Sequence, residues 1–291
     1  MNLRARNRLI TFPRRPLVMG ILNLCADSFS GDGVLDVHLA LRRARQMVAE
    51  GADIIDVGGE SAGTAHAAMS EAEEIGHLLP FIWRFTEELA DFEPPADASQ
   101  LFPPLLSVNT WRTAVVSKVL PAGGDLLNDL SALPTDTNAR LCAETGAALL
   151  IMHNEGEPKV WHPYHAYPDV LATLEAFFEE KIALAHAAGV PREGLVLDPG
   201  IGFTKLHDDN LRIYRDLERL HQFERPILLP VSRKTVIGEV LGVPPAERDA
   251  GTVACIVSGL RRGAHIFRVH NVRAAVQTIR TVGAVLQGGD S

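Results

Sequence analysis

Short apolar runs rich in Val, Ile and Leu recur along the chain, and each is followed by a stretch whose apolar residues return every three to four positions. Eight such runs stand at residues 17–24 (LVMGILNL), 53–59 (DIIDVGG), 105–110 (LLSVNT), 125–131 (DLLNDLS), 147–154 (AALLIMHN), 195–203 (LVLDPGIGF), 226–234 (PILLPVSRK) and 264–270 (AHIFRVH). Near-continuous apolar runs predict parallel strands covered on both faces, and the intervening periodicity predicts crossover helices. Between residues 70 and 89, Ser70 and Glu73 have the spacing of a capping box, and Ile75, Leu78, Leu79, Ile82, Phe85 and Leu89 fall on one helical face. Glycine recurs just before the next run, at Gly51, Gly123, Gly146 and Gly263, as a left-handed helix C-cap requires. Eight strand–helix units predict an α/β chain closed into a single (β/α)8 TIM barrel; an open doubly wound sheet is the alternative if one or two strands are false.

The chain has 291 residues, of which 46% are hydrophobic, enough to bury one large core. One domain over residues 1–291 is expected, with a short basic extension at 1–16 that holds Arg4, Arg6, Arg8, Arg14 and Arg15. Those arginines before an apolar run resemble the start of a signal peptide, but no small-residue cleavage site follows, so the run reads as a buried first strand. No other segment is long and apolar enough to span a bilayer. The net charge of -8 gives no basic footprint, and no nucleic-acid partner is expected. Three cysteines without a CxxC pair suit a reducing cytoplasm and argue against disulfides and zinc. The Pro-rich stretch 93–104 precedes a strand and belongs at the bottom of a barrel; loops 25–36, 60–69 and 154–167 follow strands and belong at the top.

In such a barrel the active site lies at the C-terminal ends of the strands, so the residues that end each run carry the chemistry. They are Asn23; Gly58, Gly59 and Glu60; Asn109; Asn128 and Asp129; His153; Asp198; Ser232 and Lys234; and Arg268 and His270. Side chains alternate along a strand, so Ser232 shares a face with Lys234, and Arg268 with His270, while Arg233 points away. Lys234, Arg268 and His270, with few compensating acids, suit a phosphate or pyrophosphate; the plainer possibility is that they pair with nearby carboxylates. Asp198 and Asn128 can read a flat heterocycle with adjacent N–H groups, although Asp198 alone could be a satisfied core carboxylate. A lone histidine such as His153 is ordinarily structural, and Trp111 and Phe203 either stack on a ligand or simply pack. No HExxH, Cys/His metal spacing, G-x-S-x-G elbow or P-loop is present.

The segments MGILNLCADSFSGDG (19–33), GADIIDVGGES (51–61), SVNTWR (107–112), NDLS (128–131), MHNEGEP (152–158), LDPGIGF (197–203), SRKTVIG (232–238) and RVH (268–270) together resemble the dihydropteroate synthase family, in order over residues 17–287. That resemblance implies a transferase of folate biosynthesis that condenses 6-hydroxymethyl-7,8-dihydropterin pyrophosphate with p-aminobenzoate, giving dihydropteroate and pyrophosphate. Carried over by position, it implies that Asn109, Asn128, Met152, Asp198 and Lys234 hold the pterin. Asn23, Ser61, Arg268 and His270 would take the pyrophosphate, with Mg2+ at Asn23. Phe203, Ser232 and Thr235 would meet the aminobenzoate, and Lys234, Asp27 and Arg268 would act in catalysis, Asp27 near the pterin cation formed as pyrophosphate leaves. A cytoplasmic homodimer and a sulfonamide target are implied as well.

The chain departs from the family's pattern at Cys25-Ala26 for Thr-Pro, at Ala62-Gly63 for Thr-Arg, and at Asn109 for the aspartate of Ser-Val-Asp-Thr. Thr204, Thr235 and Asn271 replace the usual Gly, Ser and Asp more mildly. These changes leave a second possibility, a diverged homologue that binds a pterin as scaffold or regulator without condensing it. A third is a methyltransferase using a methylated folate, for which the Ser232–Lys234 and Arg268–His270 pairs would have no pyrophosphate to hold.

Overall fold

The computed structural model describes residues 1–25, 33–60, 68–93 and 95–287. Eight parallel strands form one sheet: β3 (Leu17–Asn23), β4 (Ile54–Gly58), β5 (Leu105–Asn109), β6 (Leu126–Asp129), β7 (Ala148–Met152), β8 (Leu195–Asp198), β9 (Leu228–Pro230) and β10 (Ile266–Val269). The order β8-β7-β6-β5-β4-β3-β10-β9 runs around a barrel, and a parallel bridge from Leu197 to Ile227 joins its two ends. The sheet is therefore closed, as the eight regular units predict. Helices α1 (Val37–Ala49), α2 (Glu71–Glu88), α3 (Thr113–Ala122), α4 (Thr137–Thr145), α5 (Val170–Ala187), α6 (His207–Arg215), α7 (Thr235–Leu241), α8 (Asp249–Arg261) and α9 (Val272–Gln287) form the outer ring.

All eight strands are shorter than their apolar runs, β8 and β9 most of all, for a backbone reason. Proline has no N–H to give a ladder, so β9 starts beyond Pro226 and ends at Pro230, and Pro199 stops β8 after Asp198. α2 starts at the predicted cap: Ser70 and Glu73 satisfy each other's backbone N–H groups. Its buried face also includes Phe81, stacked on Phe85. Gly51, Gly123, Gly146 and Gly263 all take positive φ at the turns into the next strand.

Alternation along the strands creates two apolar regions. Val18, Leu22, Ile55, Val57, Leu106, Val108, Leu127, Leu149 and Leu197 face outward onto the helices. Leu17, Met19, Ile54, Leu105, Leu126, Ala148, Leu150, Val196, Leu228 and Ile266 fill the lower barrel interior. The basic stretch 1–16 is not a loose extension. It folds into an antiparallel hairpin, β1 (Asn2–Ala5) and β2 (Arg8–Thr11), whose Leu3, Ala5, Ile10 and Phe12 pack into the lower interior and close it.

Arg6 and Arg15 of this stretch tie it to the barrel. Arg6 donates to the carbonyls of Leu120, Gly124 and Thr145, at the C-terminal ends of α3 and α4. Arg15 makes a two-pronged pair with buried Asp53, 2.9 Å on each side, and Asp53 also accepts from the N–H groups of Val18 and Leu101. Burial pushes the Asp53 carboxyl up and Arg15 opposes this. The stretch 93–104, in its described residues, lies on this lower face, where Arg14 and Arg15 bind Ser99.

Leu3 is fully buried in the plug. Leu3→Ala is expected to lower unfolding stability by about 3 kcal/mol, read by denaturant unfolding, with ligand affinity at the other end of the barrel unchanged.

Candidate active site

Above the apolar plug the inward positions turn polar, starting with an aspartate in mid-strand. Asp56 follows Ile54 by two residues on β4, so it points into the barrel, where it is completely buried. Its carboxylate accepts from Ser107 Oγ at 2.6 Å, from Asn128 Nδ2 at 3.1 and 3.3 Å, and from Arg268 Nε at 2.7 Å. A buried carboxylate needs this many partners, and in exchange it orients all three. Because Asn128 must turn its NH2 to Asp56, its Oδ1 faces the other way, and that atom is buried with no protein partner. Oδ1 of Asn109, one strand over and paired in register with Asn128, is likewise buried and unsatisfied.

These atoms open into a cavity of about 520 Å³ at the C-terminal end of the strands. Asn23, Asn109, Asn128, Met152, Asp198, Phe203, Ser232, Lys234, Thr235, Arg268 and His270 all line it. Asp198 ends β8 and is 3% exposed; burial raises its carboxyl to about 6, while Lys234, Arg268 and Lys205 pull it down. Its Oδ1 accepts from the N–H of Gly200 at 2.7 Å. At Gly200 (φ 69) a Cβ would lie 1.9 Å from the carbonyl oxygen of His153, so only glycine lets this turn seat against β7. Lys234 is lowered to about 8, chiefly by burial, with Asp198 raising it and Arg268 lowering it. Its ammonium sits 4.9 Å from the centre of the Phe203 ring.

Ser232 and His270 meet across β9 and β10, Oγ to Nδ1 at 2.7 Å, so the two cationic pairs do converge. Arg233 points away and pairs with Asp249, and Arg248 braces the same turn through the carbonyls of Arg233 and Lys234. The loop after β7 supplies the far wall with Glu157, Lys159, Trp161 and Tyr164. It is tied down where Lys159 meets Glu60 at 3.2 Å; Arg112 bridges Glu60 to buried Glu74.

One expectation is corrected, and the plainer readings of Trp111 and His153 hold. The cations are not short of acids: Arg268 is paired with Asp56, which stands within β4 below the strand ends. Trp111 packs beside the lower core under Arg112 and does not line the cavity. His153 points outward, edge-on to Phe177 and Tyr167, and burial lowers it to about 3, so it stays neutral as a packing residue. Glu60, a strand-end candidate, does line the cavity, whereas Lys205 and Arg112 are residues that strand ends do not point to. Asp27 and Ser61, with Ala26, Ala62 and Gly63, lie outside the described residues.

Comparison with known proteins gives the same answer from both sequence and structure. The profile of the family described as "Pterin binding enzyme" matches residues 19–270. The dihydropteroate synthase of Escherichia coli K12 is 37% identical over 277 residues, 95% of this chain and 94% of the relative. The structure of Yersinia pestis dihydropteroate synthase with a sulfonamide drug superposes with a TM-score of 0.86 at 36% identity, covering 99% of this chain and all of the other. That of the Xanthomonas albilineans enzyme with 4-aminobenzoic acid gives 0.84 at 32% identity, covering 99% of both chains. With the polar interior, the cavity and these likenesses on one chain, the protein belongs to the pterin-binding enzyme family and, within it, to the dihydropteroate synthases.

Proposed function

We propose that the chain condenses 6-hydroxymethyl-7,8-dihydropterin pyrophosphate with p-aminobenzoate, forming dihydropteroate and pyrophosphate. The observation that carries this is the division of one cavity. Three buried acceptors, Asn109 Oδ1, Asn128 Oδ1 and the Asp198 carboxylate, face the cations Lys234 and Arg268. The acceptors match the adjacent N–H groups on a pterin's edge, with Met152 against the ring; a heterocycle without those donors would leave them unpaired in a buried site. Arg268 keeps four N–H donors beyond the one given to Asp56, and with His270, Asn23 and Ser61 it would take the pyrophosphate. Asn23 is a half-buried amide at the end of β3, and its hard oxygen fits Mg2+ brought in with the pyrophosphate. Mg2+ held there would offset charge on the departing anion.

The reaction asks for little proton transfer. The bond between the pterin's methylene carbon and the pyrophosphate oxygen breaks with its electron pair leaving on pyrophosphate. The arylamine nitrogen then bonds to that carbon and sheds a proton. The residues' task is to hold an anion and a cation as they separate. Asp198 spreads negative charge under the pterin, Asp27 would stand near the cation, and Arg268 with His270 favours departure. Phe203, Ser232 and Thr235, beside the Lys234 stem, form the wall for the aminobenzoate ring. Asn109 keeps a hydrogen-bonding group where the family has aspartate, so the pterin contact survives with one charge fewer. That near-full-length identity of 37% extends to a synthase disfavours the scaffold and methyltransferase alternatives.

We also propose a cytoplasmic homodimer. Among the described residues no helix is long and apolar enough to cross a membrane, and Leu211, Val240 and Leu241 of α6 and α7 are exposed apolar side chains suited to a contact between copies. Sedimentation reads that state directly.

The deciding experiment follows pyrophosphate release from the pterin pyrophosphate with Mg2+, with and without p-aminobenzoate. Release that requires p-aminobenzoate and yields dihydropteroate is expected, with sulfonamides competing and EDTA suppressing it. Lys234→Ala should lose about a hundredfold or more in kcat/KM without unfolding; near-normal turnover in that variant would remove Lys234 from the mechanism. The pH profile follows from the two shifted groups. Asp198 must be ionised, so kcat/KM falls as pH drops through about 6, and Lys234 must be protonated, so it falls again as pH rises through about 8. A profile flat from pH 5 to 9 would show that neither group's charge matters.

A further inference from the structure

Lys205 is 2% exposed, and its ammonium ends on three backbone carbonyls, of Gly200 at 3.0 Å, Phe203 at 3.1 Å and His153 at 3.4 Å. An ammonium has three N–H donors for these three acceptors; the neutral amine has two and would leave one carbonyl unserved. Two of the carbonyls belong to the turn that follows Asp198, and the third to the residue after β7. The peptides around Gly200 are held from both sides: the N–H donates to Asp198 Oδ1 and the carbonyl accepts from Lys205. The turn thus carries Asp198 at one end and Phe203 at the other, both facing the cavity.

An ammonium is expensive to bury for turn-making alone, since neutral side chains can serve carbonyls at lower cost. The charge has something to act on. Asp198 of β8, Glu155 of the loop after β7 and Asp209 of α6 face it with negative charge. Lys234 faces it with positive charge, and His153 lies beside it and is neutral. Of the carboxylates, Asp198 is the one that lines the cavity. We infer that Lys205 is a positioning residue for the pterin: it clamps the turn that aims the Asp198 carboxylate into the cavity and places a positive charge behind it. This rests on the pterin function proposed above. Burial lowers the Lys205 ammonium to about 7, and Asp198 is the first of the charges that oppose this.

The test compares Lys205→Met and Lys205→Gln with the unaltered chain, using binding of 6-hydroxymethylpterin, which carries no leaving group, across pH 5 to 8, and the KM of each substrate. Lys205→Met is expected to weaken pterin binding about tenfold or more and to raise the KM for p-aminobenzoate by clearly less, through Phe203 at the far end of the same turn. Without the positive charge Asp198 holds its proton to higher pH, so the acid limb of pterin binding moves upward. Lys205→Gln keeps two N–H donors but no charge; it should recover part of the affinity and show the same displaced limb. An unmoved acid limb, equal loss for both substrates, or failure of both variants to fold would make Lys205 a residue of fold stability only and overturn the inference. No pterin binding by the unaltered chain would instead remove the pterin function itself.

Discussion

A carboxylate that cannot reach water organises the functional half of this barrel. Asp56 lies in the middle of β4 with its side chain inside, and transfer of such a group from water is affordable only if several donors meet it. Ser107, Asn128 and Arg268 do so from three other strands. The consequences run upward to the site. Asn128 has one orientation left, with its acceptor toward the cavity, and Arg268 is anchored through Nε with its remaining donors available. Removing one member of such a network leaves the others buried and unpaired, so substitutions here should be strongly coupled.

The same two-residue alternation that delivers Asp56 also divides the barrel along its axis. Inward positions at the strand starts are Leu17, Ile54, Leu105, Leu126 and Ile266, sealed by the hairpin of residues 2–11. Inward positions at the strand ends are Asn23, Asn109, Asn128, Asp198 and Arg268. Stability is concentrated in the lower half and chemistry in the upper. The upper half can therefore hold unsatisfied acceptors and shifted ionisable groups that a ligand completes, because the lower half and the helix layer supply the folding free energy.

Much of this was legible in the chain. Near-continuous apolar runs alternating with helical periodicity, punctuated by glycine, predict the eight strands and the closure, and the residues ending those runs include the cavity's Asn23, Asn109, Asn128, Asp198, Ser232, Lys234, Arg268 and His270. The remainder has physical reasons. The hairpin is missed because its two four-residue strands are shorter than any reliable period and carry Arg4 and Arg8, while Arg6 in the turn between them serves the ends of α3 and α4. Asp56 carries a signal that inspection of strand ends alone discards: a charge within an apolar run, in phase with Ile54, must point inward. Lys205 has no such signal, since its role depends on carbonyl oxygens brought together by a turn and a neighbouring strand. Asp27 and Ser61 lie outside the described residues, and their roles rest on resemblance.

Asp56 sets the pterin-reading geometry through Asn128 and Arg268 although it does not itself line the cavity. The most direct measurement is the affinity of Asp56→Asn for 6-hydroxymethylpterin, with its unfolding curve taken alongside. An asparagine of the same size cannot accept all the donors now on the carboxylate and has its own NH2 to place, so Asn128 loses its enforced orientation. Affinity about tenfold lower or more in a folded protein is predicted; affinity equal to that of the unaltered chain would contradict the claim and assign the buried carboxylate to balancing the charge of Arg268 alone.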